Sequence, residues 1–371
     1  MADVHLGFAC ADRELTEAVP EAFGRAVSLA REERVDLVVV AGDLFESNRV
    51  SPRTVALALG AFSEIAPAPV VLLPGTHDRL CAGSVYLRPE FRPDRLPRNV
   101  HVLADPAGAR LALPALDCAI YGRANESSEG GFPLAGLERG GGERFHVALA
   151  HGSIAGVGGE RDFPISPQDL DRAGMDYVAL GHWHAAQPVP GTRRAAWYSG
   201  SPQPTEVPKA PGKALEGTVL LVTLEPGGPA GPPEKRIVGL FRLERAAIDV
   251  AALPDRESVS ARIRALASPR LILRADIEGH VGPERFFDAA RLEEELEPHF
   301  HALTLDASGF RVRPGPQDAA RYPQGSLEGM LARIASERLA QLAEGSEEHE
   351  LLSEALAEAL DRLARAREAA P

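Results

Sequence analysis

The chain has 371 residues, 44% apolar and 25% charged, with a formal net charge of −13. That length exceeds one ordinary core and predicts two domains, or one large domain with appendages; the composition excludes global disorder. No apolar run reaches the ~18–20 residues that span a bilayer. The first residues show no basic-then-apolar leader, and the three cysteines (Cys10, Cys81, Cys118) are too few and scattered for a disulfide framework, so a cytoplasmic setting is expected.

In chain order, a helix is predicted over 16–33, opening at Thr16 with Pro20 in its first turns. The apolar run 35–41 ends in Gly42-Asp43. A second helix is predicted over 52–65, with Ser51 before it and Pro52 at its first position. Run 70–74 ends in Gly75-Thr76-His77-Asp78, run 145–150 in His151-Gly152, and run 177–180 in Gly181-His182-Trp183-His184. Continuous β-branched and leucine runs of this kind read as strands buried on both faces. Strands alternating with helices make an α/β sheet whose reactive residues gather beyond the carboxyl ends of the strands, which is where all four polar clusters fall. Residues 218–224 read as a further strand and 226–233 as a turn or linker. Then the character changes: strand 270–277, helix 286–296 and strand 301–305 form a small α+β unit. After Pro314-Gly315-Pro316, helices carry Leu327, Met330, Leu331 and Ile334 on one face and Leu352, Leu356, Leu360 and Leu363 on another. The expected domains are 1–240, 241–315 and 326–371.

The side chains at these strand ends are Asp43, Thr76, His77, Asp78, His151, His182 and His184, joined by Asp3 and His5 at the chain start. Carboxylates with neutral imidazoles suit Mn, Fe or Zn better than Mg or Ca. Residues two apart at a strand end, as in Asp3-x-His5 and His182-x-His184, point the same way and can reach one ion or two adjacent ones. Two such pairs plus a lone carboxylate and a lone histidine exceed one tetrahedral shell. Two ions ~3.5–4 Å apart, bridged by a carboxylate, account for the count. Each short motif alone has a bland reading: a lone histidine is most often structural, and Gly-Asp is most often a turn. Their joint occurrence, each closing an apolar run, points to a metal centre.

The order Asp-x-His, Gly-Asp, Gly-x-His-Asp, His-Gly, Gly-His-x-His resembles the calcineurin-like metallophosphoesterase superfamily. Asp3-Val4-His5-Leu6-Gly7, Gly42-Asp43-Leu44-Phe45, the segment 47–54 and Gly200-Ser201-Pro202-Gln203 are similar to its SbcD/YhaO-type DNA-repair exonuclease branch; residues 241–371 match that branch only in outline. The resemblance implies an α/β sandwich of two central sheets flanked by helices, with a small α+β capping domain and C-terminal helices. It implies that Asp3, His5 and His184 bind one metal ion and Thr76, His151 and His182 a second, with Asp43 bridging. Two divalent ions, Mn2+ foremost, lower the pKa of a bound water towards ~7 and offset charge on phosphoryl oxygens. His77 would stabilise that charge or protonate the leaving oxygen, with Asp78 orienting its ring. The nucleic-acid contacts expected are Asn48, Arg49, Arg79 and Gln203, although the arginines from Arg79 to Arg98 read equally well as a solvated loop.

The implied activity is that of a metal-dependent DNA exonuclease, with endonuclease action alongside, in a homodimer. An SMC-like ATPase of the SbcC or YhaN type would dock on the C-terminal helices, and no membrane partner is expected. Two other classes share these residues: a binuclear phosphoesterase acting on small phosphodiesters or phosphomonoesters, and a catalytically weak scaffold that binds DNA ends.

Two departures from the superfamily pattern carry expectations of their own. Thr76 stands where that pattern has Asn; its shorter, β-branched hydroxyl predicts a weaker second metal site. The superfamily's first strand precedes the Asp-x-His motif, whereas only Met1 and Ala2 do so here. A missing central strand, ligands on a frayed terminus and a start further upstream are therefore expected. The acidic excess is densest in 326–371, where a protein partner is favoured over DNA, so unaided DNA binding is expected to be weak.

Overall fold

The computed structural model describes residues 1–156, 162–282, 285–312, 322–323, 325–343 and 346–368. Contacts divide it into two units, Met1–Glu206 with Ala214–Leu243, and Val207–Lys213 with Glu244–Pro371. In the first, helix α1 (Arg13–Glu32) starts before Thr16, because the Asp12 carboxylate accepts the Leu15 N–H at 3.0 Å and caps it earlier; Pro20 therefore lies inside the helix. Helix α2 (Pro52–Ser63) begins as the sequence predicts, with the Ser51 hydroxyl accepting the Thr54 N–H at 3.1 Å.

Strands β1 (Val38–Ala41), β2 (Val70–Leu73) and β3 (Val100–Val102) form a parallel sheet in that order. Strands β4 (Ala109–Leu113), β5 (Cys118–Gly122), β6 (Phe145–His151), β7 (Tyr177–Gly181), β8 (Gln187–Pro188) and β9 (Ala195–Tyr198) form a second sheet. Its order is β4-β5-β6-β7-β9-β8, parallel from β5 to β9 and antiparallel at both edges. Alternate residues of the central strands face opposite ways. Ala41, Val71, Leu73, Ile120, Val147 and Leu149 join one apolar layer. Val40 and Leu72 face α1 and α2, whose Phe23 and Phe62 meet edge to face at 5.3 Å. Helix α3 (Pro167–Ala173) puts Leu170 and Ala173 on Ala148 and Val178. Apolar demand on both faces explains why these strands read as continuous runs, and each fully buried phenylalanine contributes ~1.5–3 kcal/mol. The architecture is the expected α/β sandwich of two sheets flanked by helices.

The first residues are not frayed. Ala41 N–H donates to Met1 O at 3.0 Å, Asp3 N–H to Gly42 O at 3.1 Å, Val4 N–H to Asp43 O at 2.8 Å and Leu6 N–H to Leu44 O at 2.9 Å. The ammonium of Met1 donates to Val39 O at 3.0 Å, and its burial pulls its pKa down to about 6. Along this edge of β1 lies a cavity of about 570 Å³ lined by Met1, Val38, Val39, Val147, Tyr177 and Val219 among others.

The strand expected over 218–224 ends earlier, as Thr218–Leu221 paired antiparallel with Glu234–Ile237. Of the turn or linker expected over 226–233, the turn is found: Leu224–Glu225 pairs with Gly228–Pro229 in a short hairpin. In the second unit, Leu271–Val281 and Ala302–Val312 run parallel and are longer than predicted, with a register shift between Asp276 and Glu278. The helix between them, Ala289–Leu296, starts later than predicted, because Asp288 caps the N–H groups of Ala290 and Arg291. Ile277, Leu292 and Leu305 share the core. Helices Leu327–Leu339 and Glu347–Glu368 bury Ala335 against Leu356 and Leu360 and leave Leu327, Met330 and Ile334 exposed. The Pro314-Gly315-Pro316 break lies outside the described residues. No helix among the described residues is long and apolar enough to cross a membrane.

Candidate metal centre

Each predicted site residue follows the carboxyl end of a strand or lies beside one. Asp43 follows β1, Thr76 and His77 follow β2, His151 ends β6, and His182 and His184 follow β7. Asp3 and His5 lie on the backbone of Gly42 and Asp43. They are not same-face positions of a strand: each has φ 54°, and the left-handed turns redirect the side chains. Seven described non-glycine residues have positive φ, and four of them are Asp3, His5, Asp43 (51°) and His182 (101°). Conformations costing of order 1–3 kcal/mol each are thus concentrated at one place, which marks it as functional. Gly42 and Gly75 permit the close approach, since a Cβ would stand 2.1 Å from His151 Nδ1 at Gly42 and 2.2 Å from Asp43 Oδ1 at Gly75.

Three triads have ligand atoms within 4.8 Å of one another: Asp3, His5 and His184; His5, Asp43 and His77; Asp3, Asp43 and His151. Asp3, His5 and Asp43 each belong to two of them, and of the two carboxylates the one beside both His151 and Thr76 is Asp43. Its Oδ2 is 3.1 Å from His151 Nε2 and accepts the Thr76 hydroxyl at 3.1 Å, and its Oδ1 accepts the His77 N–H at 2.8 Å. Thr76 Oγ1 stands 3.3 Å from His151 Nε2. His182 belongs to none of the triads; it adjoins them, its ring edge-on to that of His151 at 5.2 Å and its backbone N–H on Asp3 at 2.9 and 3.1 Å.

The donor set fits divalent cations. Asp3 and Asp43 are buried, and His5 Nε2 faces His184 Nε2 at 3.4 Å, an approach of two imidazole nitrogens that calls for a proton or a metal ion between them. Burial lowers the pKa of both His182 and His184, which keeps them neutral as ligation requires. For His151, burial opposes the charge, but Asp43 in contact and Asp3 nearby outweigh it and raise the pKa to about 10. His5 is also raised: burial works against it, and Glu46, Asp43 and Asp3 prevail. Asp43 stays ionised despite its burial, its pKa lowered by His151, His5 and His77. The two buried carboxylates thus draw protons onto His151 and His5, the places that cations would take.

Several expected roles are corrected. Asp78 does not touch the His77 ring. Its carboxylate accepts the Gly75 N–H at 2.7 Å, the Phe45 N–H at 3.1 Å and the Tyr86 hydroxyl at 2.7 Å, and burial with nearby Asp43 raises its pKa to about 6. The ring of His77 is held instead by the Glu46 carbonyl, 2.9 Å from Nδ1, and the ring itself is exposed. Asn48 is occupied within the fold, donating to Arg79 O at 2.9 Å and accepting the Val85 N–H at 2.9 Å. Gln203 is buried and donates to Pro204 O and Phe241 O while accepting the N–H groups of Leu240 and Phe241. Both amides hold loop backbone, which leaves neither free for nucleic acid. Of the four candidates, Arg49 is exposed, and Arg79 is half-buried with one N–H on Thr76 O at 3.3 Å.

Sequence reasoning missed Glu46 and Asp162. Glu46 Oε2 lies 3.0 Å from His5 Nδ1, and Asp162 Oδ1 lies 2.9 Å from His182 Nε2. Glu46 stands three residues after Asp43 and could have been sought there; Asp162 has no spacing signal.

A sequence model of the calcineurin-like phosphoesterases matches residues 1–186. The chain belongs to that family. As a calcineurin-like phosphoesterase it is a hydrolase acting on ester bonds, in a family that works with divalent metal ions. Three curated relatives extend the comparison. The uncharacterized metallophosphoesterase YhaO of Bacillus subtilis is 26% identical, over 73% of this chain and 67% of its own length. The DNA double-strand break repair protein Mre11 of Methanopyrus kandleri is 30% identical, over 62% of this chain and 54% of its own. A component of the nuclease SbcCD of Rhodobacter capsulatus is 29% identical, over 80% and 82%. Against the Mre11 relative, then, the phosphoesterase spans about half the relative's length.

Thr76 gives a direct test of the two-site arrangement. Thr76→Asn places a carboxamide oxygen one bond further out, beside His151. The Mn2+ concentration for half-maximal hydrolysis is expected to fall by about tenfold, the scale on which groups around a metal shift its affinity. An unchanged Mn2+ requirement would exclude Thr76 from the site.

Proposed function

We propose that this phosphoesterase is a metal-dependent DNA exonuclease, with endonuclease action alongside, that works in DNA repair with an SMC-like ATPase. The observation that carries the reading is the reach of the similarity: with a relative named as a nuclease component it extends over 80% of the chain, far beyond residues 1–186. The centre's geometry supports it. In this reading Asp3, His5 and His184 hold one ion, and Thr76, His151 and His182 a second, with Asp43 shared. Two divalent ions, taken as Mn2+, supply Lewis acidity at the phosphoryl group and a nucleophile near neutral pH.

The chain's own residues do the rest. The ligands are mostly buried while His77 is exposed at their rim. With Nδ1–H held on the Glu46 carbonyl, Nε2 is the nitrogen left for substrate, and in the imidazolium form it gives a proton to the departing oxygen of a phosphodiester. Arg49 and Arg79 pair with flanking phosphates, for which guanidinium geometry is suited. The exposed stripe of Leu327, Met330 and Ile334 has the spacing by which one helix seats on another, and receives the ATPase partner. The working form in this reading is a cytoplasmic homodimer.

Labelled duplex DNA, bis-p-nitrophenyl phosphate and cyclic nucleotides, each with and without Mn2+, test the proposal. Expected is Mn2+-dependent release of nucleotides from DNA, reduced by about 10²–10⁴ in His77→Ala with DNA binding retained. Cleavage confined to the small esters would replace the nuclease by a small-molecule phosphodiesterase. DNA binding with turnover indifferent to His77→Ala would replace it by a scaffold.

A further inference from the structure

The two histidines assigned to the second ion are fixed through opposite ring nitrogens. His151 places Nδ1 at 3.0 Å from the Ala41 carbonyl, which can only accept, so Nδ1 carries the proton and Nε2 is the nitrogen that faces Asp43 and Thr76. His182 is held the other way round. Its Nε2 lies 2.9 Å from Asp162 Oδ1, and the second oxygen of that carboxylate accepts the Ser153 hydroxyl. Ser153 Oγ in turn accepts the indole N–H of Trp183 at 3.0 Å, and that indole stacks on Tyr198 with centroids 5.3 Å apart. The result is a chain of hydrogen bonds from Trp183 through Ser153 and Asp162 to the His182 ring, with the buried Tyr198 stacked on the indole. On the other side of the residue, Asp3 takes the His182 N–H and holds the backbone at φ 101°. Asp162 itself lies in none of the ligand triads among the described residues.

We propose that Asp162 is the positioning residue of the second metal site: it accepts a hydrogen bond from the Nε2–H of His182 and leaves Nδ1 as the nitrogen presented to the ion. The assignment rests on reading the cluster as the hydrolytic metal centre. An ionised carboxylate accepts only, so Nε2 must donate and the lone pair falls to Nδ1. A carboxylate on the far nitrogen also makes the ligating one more basic, as carboxylate–histidine–metal arrangements do generally. Together with Thr76, it decides how tightly the second ion is held: the hydroxyl weakens that site and Asp162 restores part of its affinity.

Mn2+ titration calorimetry on the full chain, with 15N-histidine long-range correlation spectra of the metal-free protein, tests this. Wild type is expected to bind two ions and to show His182 with Nε2 protonated and Nδ1 bare. Asp162→Ala is expected to weaken one Mn2+ site by about 10–100-fold, leave the other within about threefold, and turn His182 into a mixture of tautomers. Asp162→Asn, which keeps an acceptor without the charge, should restore the tautomer and part of the affinity; equal loss in both variants would overturn the proposal. So would two unchanged sites in Asp162→Ala, or a bare Nε2 in wild type, with the metal centre still standing. If wild type itself binds no Mn2+, the metal-centre reading fails and this proposal with it.

Discussion

Asp43→Asn is expected to lower Mn2+-dependent hydrolysis by about 10³ or more and to abolish the rise in Tm that Mn2+ gives the wild type. The carboxylate is buried at the junction of two triads, in contact with His151, Thr76 and the His77 backbone. Asparagine reproduces its shape and one acceptor oxygen but not its charge, so the effect isolates the bridging role. One donor misplaced in a preorganised polar site costs about 10²–10³ in turnover, and the loss of a ligand shared by two ions should exceed that. Stability gives an independent readout. An ion at 100 times its dissociation constant stabilises the folded state by ~2.7 kcal/mol, and that increment disappears with the site. The metal-free Tm falls too, because the same change removes the Asp43 partner of His151, so each protein is compared with and without Mn2+. A Mn2+-dependent Tm shift persisting in Asp43→Asn would sink the bridging role.

What the sequence reveals and what it conceals follow from where each signal is stored. The strands β1, β2, β6 and β7 were legible because both of their faces are buried, so every residue in the run is constrained to be apolar. Strands β3, β4, β5, β8 and β9 were not: β3 and β8 are short, β4 and β9 alternate in burial, and β5, although buried throughout, has Ile120 as its one β-branched residue. The ligating residue types were legible because chemistry fixes them and strand ends fix their place. Their partners were not. Glu46 acts on His77 through its backbone carbonyl, a group every residue possesses. Asp162 is joined to His182 from a loop, with no periodicity to give it away. Asn48 and Gln203 look like contacts for a ligand in the sequence, but loops that leave backbone groups unpaired claim their amides first. The conformations at Asp3, His5, Asp43 and His182 are equally invisible, since positive φ in these residue types is imposed by the tertiary contacts around them.

Asp78 brings that difference to a measurable point. Were it to orient the His77 ring, Asp78→Ala would mimic His77→Ala: turnover lost, stability kept. The contacts dictate another result. Its carboxylate ties the turn after β1 to the turn after β2, accepting from Phe45 N–H on one and Gly75 N–H on the other, with the Tyr86 hydroxyl as a third donor. Alanine leaves those three buried donors without an acceptor, at ~1–3 kcal/mol for each that water cannot reach. A loss of ~3–5 kcal/mol out of a total of ~5–15 follows, lowering Tm by roughly 10 °C. Because the two turns carry Asp43 and Thr76, the metal-dependent Tm shift should shrink as well, which His77→Ala would leave intact. Asp78→Asn keeps an acceptor for part of the set and turns its amide against the rest, so an intermediate Tm is expected. Thermal melts of the three variants with and without Mn2+ separate the cases, and a wild-type Tm in Asp78→Ala would return the residue to the His77 ring.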